Sequence, residues 1–349
     1  MTTRFYHSFS YKSVLYKSIL LVLTAAILIS GCSASATPIS HTDIYFDTVI
    51  TISIYDSRDK NLLTECFALA AKYDKLFNKN QKNSDIWNIN HSNTAAVSVD
   101  SETIALLKEA CYYAELSHGL LDPTIGSVSS LWNFHASSEP VAPESVAPTL
   151  VLPSSELLAA ALHHVDYKTI IINETDSTIT LTDPLTQIDL GFIAKGYIAN
   201  QIKDYLTRQG VTSALINLGG NIQAIGTKPD GSDFAIGIQK PFADSGTAAL
   251  TLSIADCSVV SAGTYERYFM HDNVLYHHIL DTATGYPVDN SLASVTVIAQ
   301  DSTQADALST WCMILGLQEG MRLIASLGND VGAIFITQDG KIYRANVDD

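Results

Sequence analysis

Between Gly210 and Gly263 the chain reverses too often for helices or parallel crossovers. Runs rich in β-formers occupy 213–218, 222–227, 233–239, 248–254 and 257–262, with only short polar turns between them. A parallel pair needs a crossover of a dozen or more residues, so mostly antiparallel pairing is expected in this stretch. Further strand patterns fall near 274–281 and 293–299, and a closing hairpin near 331–345. Residues 44–55 alternate Ile50, Ile52 and Ile54 with Thr51 and Ser53, the pattern of one half-buried strand, and 168–182 reads as a hairpin. Helical spacing interrupts these runs over 60–77, 101–117, 192–209, 302–315 and 317–326, without a regular βαβ rhythm. The pattern predicts α+β architecture: a single compact domain over 44–349, mostly antiparallel sheet with packed helices. Four prolines between 135 and 155 mark that stretch as an extended surface insert.

The first residues read as an address. Arg4, Lys12 and Lys17 precede the apolar run Ile19–Ile29, which is short for a bilayer span. The run ends in Ile29-Ser30-Gly31-Cys32, which resembles a bacterial lipobox. The expectation is a lipoprotein signal peptide over 1–31, lipidation of Cys32, and a polar tether over 32–43. An uncleaved anchor helix is the other reading. Both place the remainder on the extracytoplasmic face of a bacterial cell membrane, held there from the N-terminus.

Charge narrows the partners. The chain has 20 Lys+Arg against 36 Asp+Glu, a net of −16. Removing 1–31 deletes three cations and no acid, so the net falls to −19. Such a chain does not bind nucleic acid by bulk charge, nor lie flat on anionic lipid. Cys66, Cys111 and Cys312 sit among apolar residues of expected helices and read as small core hydrophobes; neither they nor Cys257 form a metal-type CxxC pair.

Four patterns could carry chemistry. In Asp189-Leu190-Gly191-Phe192-Ile193-Ala194-Lys195-Gly196-Tyr197 a strand ends, a glycine turns the chain and a helix opens, offering free N–H groups to an anion. Lys195 lies in the first turn, where the dipole disfavours a cation unless an anion is bound. An ordinary strand-to-helix turn with a solvated lysine is the plainer alternative. Asp306 and Thr310 stand four residues apart on one helix face, and hard oxygen donors of this kind suit Mg²⁺; a simple capping aspartate explains Asp306 equally well. His277 and His278 lie at the end of a strand, so they point to opposite sides and at most one readily serves a given site as general base. A buried structural histidine remains open. Asn217-Leu218-Gly219-Gly220-Asn221 is a tight turn that permits close backbone approach to a ligand, or is simply a turn. No Rossmann or P-loop motif is present.

Taken in order, "FDTVITISIY", "LDPTIGSVSSLWNF", "DLGFIAKGY", "INLGGNIQAIG", "SAGTYERYF", "HHILDTATGYPV" and "ADALSTWCMILG" resemble the blocks of the ApbE family, the FAD:protein FMN transferases, over roughly 44–345. The resemblance implies transfer of the FMN half of FAD onto a threonine hydroxyl of an extracytoplasmic flavoprotein, with release of AMP. It implies Mg²⁺ held by Asp306, Thr310 and the Phe192 carbonyl. It implies FAD contacts at Phe46, Leu120, Leu121, Asp122, Asp189, Lys195 and Leu280, and His278 as the base that deprotonates the acceptor. The preference for His278 over His277 comes from the family match only. The chain departs from the family in Phe46-Asp47-Thr48, where Met-Gly-Thr is usual, and in "DTATG", which lacks the usual proline after Asp281. Two other readings stay open from sequence: an FAD pyrophosphatase giving FMN and AMP, and a lipoprotein that holds FAD without chemistry.

Overall fold

A computed structural model describes residues 37–132, 134 and 152–347. The expected signal peptide, Cys32 and nearly all of the expected Pro-rich insert lie outside the described residues. The order is β1 (Ile39–Tyr45), β2 (Thr48–Ile54), α1 (Lys60–Phe77), α2 (Asp85–Asn90), β3 (Val97–Ser98), α3 (Ser101–Leu116), α4 (Gly126–Ser129) and α5 (Ser155–Leu162). Then come β4 (Ile170–Asn173), β5 (Thr178–Leu181), α6 (Ala194–Arg208), β6 (Ala214–Leu218), β7 (Asn221–Ile225), β8 (Phe234–Gln239), β9 (Ala248–Ile254) and β10 (Ser258–Gly263). The chain closes with β11 (Tyr268–His271), β12 (Val274–His277), β13 (Leu292–Ala299), α7 (Ser302–Ser326), β14 (Val331–Thr337) and β15 (Ile342–Ala345).

The architecture is α+β, as the pattern predicts. Eight strands form one sheet in the order β1-β2-β6-β7-β10-β13-β14-β15, and every neighbouring pair is antiparallel. Both faces of its centre are covered. Val260, Val295 and Val297 face a core shared with α1, α6 and α7, while Val259, Ile334 and Ile336 face the β8–β9 hairpin. Adjacent Val259 and Val260 thus serve opposite layers, as strand alternation requires. A smaller cluster joins Val128, Trp132, Phe134 and Leu158 to Phe269 of β11 and to Leu280. The thiols of Cys66, Cys111, Cys257 and Cys312 are all free.

Two sequence expectations are corrected. Residues 44–55 are not one strand: Phe46 and Asp47 both take positive φ (53° and 55°) and turn the chain between β1 and β2. The chain from Ile39 on is not a tether, because Ile39 pairs with Ile54 and the whole of β1 lies along β2. Its residues are mostly exposed, Ile44 among them, because β1 is the sheet edge. Long helix α7 contains the break expected between 315 and 317, since Gly316 is non-helical with φ 77°.

Candidate active site

The site lies where α6 and α7 begin. Helix α6 opens without a side-chain cap at Ile193, so its first-turn N–H groups need other acceptors, and Ala194 N–H finds the Leu190 carbonyl oxygen at 2.9 Å. One of them, Gly196 N–H, donates to Asp306 Oδ2 at 2.9 Å. In a regular helix that N–H would turn to the Phe192 carbonyl four residues back. Among the described residues no donor reaches the Phe192 carbonyl. Asp306, one turn into α7, therefore sits at the positive end of α6, and the Phe192 carbonyl in the turn leading into α6 is left without a donor. Gly196 makes the approach feasible: a Cβ there would stand 2.2 Å from the Ser302 carbonyl oxygen.

Asp306 is buried, and burial raises its pKa; Lys195, the Gly196 N–H and Asn221 oppose that shift. Lys195 acts on three groups at once. It favours the charged forms of Asp306 and Glu266 and disfavours protonation of His278. Glu266 is pushed up to about 7, first by loss of water around its carboxyl, against Lys195 and Arg267 and with Asp306. An exposed flank of that residue tempers the first effect.

The two histidines part as strand alternation requires. His277 is buried, its Nε2 3.1 Å from the Val288 carbonyl oxygen, and burial pushes it down to about 4. His278 is half-buried beside Arg267 and Lys195, with Nδ1 3.3 Å from the Arg267 carbonyl oxygen. A carbonyl can only accept, so this contact puts the proton on Nδ1 and the lone pair on Nε2. Burial, then Arg267, His277 and Lys195, push His278 down to about 3, so the ring is neutral near pH 7.

Asp189 lies in a separate cluster. Its Oδ2 accepts from Lys79 Nζ at 2.6 Å and Ser129 Oγ at 2.8 Å, and its Oδ1 from Gly191 N–H at 3.0 Å. Burial pushes its pKa up, but Lys79 and these hydrogen bonds outweigh it and hold the carboxyl below the ordinary range. The Asp122 carboxylate is occupied by Thr124 N–H and Oγ1 and by Tyr167 N–H. Leu121 and Leu280 are buried in cores, and Leu120 is half-buried. An open cleft of about 610 Å³ runs past this turn, between Gly119, Asp122, Tyr167 and Thr282. Phe46 is half-buried at the β1–β2 turn, its N–H on Asp74 Oδ1. Thr310 is half-buried one turn beyond Asp306.

Lys195 thus stands close enough to act on both Asp306 and His278, and Phe192 lies in the turn just before it. Asp189 is tied to Lys79, which the sequence reading missed because the two are 110 residues apart. Glu266 and Arg267 were missed as well, although both stand inside the "SAGTYERYF" block.

The family model described as "ApbE family" matches residues 46–335. The chain belongs to the ApbE family. Members it resembles include a protein of Klebsiella pneumoniae (strain 342) named FAD:protein FMN transferase, 35% identical, with 88% of this chain and 92% of that protein covered. A protein of Treponema pallidum (strain Nichols) with the same name is 32% identical, covering 89% and 88%. Among solved ApbE structures, that of Thermotoga maritima superposes with a TM-score of 0.78 at 29% identity, covering 88% of this chain and 97% of the other. The flavin transferase ApbE of Vibrio cholerae gives 0.75 at 28%, with the same coverage.

Among the described residues no three His, Cys, Asp or Glu side chains gather as a metal cage. The ApbE residues at hand instead offer one carboxylate, one hydroxyl and one unclaimed carbonyl. That donor set fits Mg²⁺, which keeps several waters or phosphate oxygens and needs few protein ligands.

Proposed function

We propose that the chain is an FAD:protein FMN transferase, which moves the FMN half of FAD onto a threonine hydroxyl of an extracytoplasmic flavoprotein and releases AMP. The observation that carries this reading is the junction at the start of α6, where Gly196 N–H meets Asp306, the Phe192 carbonyl is free and Lys195 acts on both Asp306 and His278. A pyrophosphate needs positive charge, and this junction supplies it through Lys195 at the positive end of α6.

Asp306, Thr310 and the Phe192 carbonyl would hold Mg²⁺, which when bound draws negative charge off the pyrophosphate oxygens. Lys195 meets the same phosphates and screens them from Asp306 and Glu266. His278 accepts the acceptor threonine's proton at Nε2 as that hydroxyl attacks the phosphorus nearest riboflavin; the phosphoester forms as the bond to AMP breaks. The low basicity of His278 in the free protein rises once pyrophosphate charge faces Lys195 and Arg267. Phe46, Asp189, Leu280 and the Leu120-Leu121-Asp122 turn supply contacts along FAD. Phe46 can do so through its ring, whereas Leu121 and Leu280 have only their backbones to offer. The enzyme works on the outer face of the membrane, tethered through lipidated Cys32.

Mass spectrometry of an acceptor flavoprotein incubated with the enzyme, FAD and Mg²⁺ tests this. The expected result is addition of FMN on one threonine, lost in Asp306→Ala. Stoichiometric free FMN and AMP without modified acceptor would assign a pyrophosphatase instead. Intact bound FAD throughout would assign a flavin carrier.

A further inference from the structure

Asn221, the first residue of β7, is 1% exposed and stands against Asp306. Its Oδ1 accepts from Ser302 Oγ at 2.9 Å, and Ser302 Oγ lies 2.9 Å from Ser258 Oγ. Its Nδ2 makes no hydrogen bond of ordinary geometry. A buried amide with neither proton in a hydrogen bond of ordinary geometry is costly and calls for a reason. The amide cannot simply be reversed, because Oδ1 would then face the Asp306 carboxylate, acceptor against acceptor. As it stands, Nδ2 favours the charged form of Asp306.

The Asp306 carboxylate therefore has one oxygen on Gly196 N–H and an amide donor within reach, while Lys195 supplies the cation. We infer that Asn221 is a positioning residue for the metal site. The Ser258–Ser302–Asn221 chain orients its amide so that Nδ2 steers the Asp306 carboxylate toward a divalent ion. Ser302 belongs to the same helix as Asp306, four residues earlier, so the chain ties β7 and β10 to the one turn of α7 that carries the ligand. This rests on the proposal that Asp306 binds Mg²⁺.

Titration with Mn²⁺, followed by the loss of its free-ion electron paramagnetic resonance signal without flavin, tests both levels. Asp306→Ala should abolish binding; parent-like binding in that variant would overturn the metal site itself. Asn221→Ala should weaken binding about 10-fold, as loss of an outer partner to a metal ligand does. The Mg²⁺ concentration for half-maximal activity should rise by the same factor, with the rate at saturating Mg²⁺ little changed. Ser302→Ala should shift both quantities the same way by a smaller factor. Loss of binding in Asp306→Ala together with parent-like affinity in a folded Asn221→Ala would overturn the inference and leave the metal site standing. If Asn221→Ala does not fold, unchanged affinity in Ser302→Ala overturns it.

Discussion

The Gly196 amide and the Asp306 carboxylate meet at 2.9 Å, although 110 residues separate them in the chain. This contact joins the N-termini of two helices and leaves the Phe192 carbonyl free. The alternative of a simple capping aspartate is thus half right: Asp306 does sit at a helix N-terminus, but at that of α6, not its own. Helix α7 is capped by Asp301, whose carboxylate accepts from Gln304 N–H.

Gly196→Ala should break this junction. The new Cβ would fall 2.2 Å from the Ser302 carbonyl oxygen and 2.7 Å from Thr303 Cα, and backbone cannot move aside as a side chain can. Overpacking of this kind costs about 1–3 kcal/mol. Urea denaturation should show the loss, and flavin transfer should fall further than stability explains.

Lys79→Met should strand the Asp189 carboxylate. The pair is about a quarter exposed on both sides, so the loss should be nearer 1–2 kcal/mol than the 3–5 of a fully buried pair. Asp189→Asn in the same chain should recover much of it, because a neutral amide can still meet Ser129. A double-mutant cycle by thermal or urea unfolding measures the coupling, and zero coupling would dismiss the pair as a stabilising contact.

Acid should destabilise the protein through His277. Its folded pKa, about 4, lies below the ordinary 6.5. The unfolded chain therefore binds the proton first. The stability from His277 is fully present above pH 6.5 and is lost as pH falls from there to about 4, an effect on the order of 3 kcal/mol. His277→Gln should flatten that limb in urea midpoints taken between pH 7.5 and 4. His278 is shifted in the same direction and persists in the variant, so the comparison is of slopes. Equal slopes would refute the assignment.

His278→Ala should lower the rate of flavin transfer by about 10²–10⁴-fold while FAD affinity changes little, because a base acts on the attack and not on binding. His277→Gln should leave the rate within a few-fold of the parent. The reverse order of effects would exchange their roles.

The longer elements of this fold were legible because their signals are local. The apolar stripe of 60–77 is helical, the glycine at 316 breaks α7, and the crowded turns after Gly210 dictate antiparallel pairing. The β1–β2 turn escaped because a Phe with positive φ runs against steric preference, and "IYFDTVI" reads as unbroken strand. Asp306 and Thr310 could be paired from sequence, since helix geometry fixes residues four apart on one face. Nothing local pairs Gly196 with Asp306, Lys79 with Asp189, or Asn221 with Ser302. Those partners come from distant elements, and only the packing of α6 and α7 against the sheet brings them together. Sequence set which groups are available and what each segment does with its own backbone. The tertiary fold decided which carboxylate meets which cation, because electrostatics and hydrogen bonds act over a few ångströms of space whatever their separation along the chain.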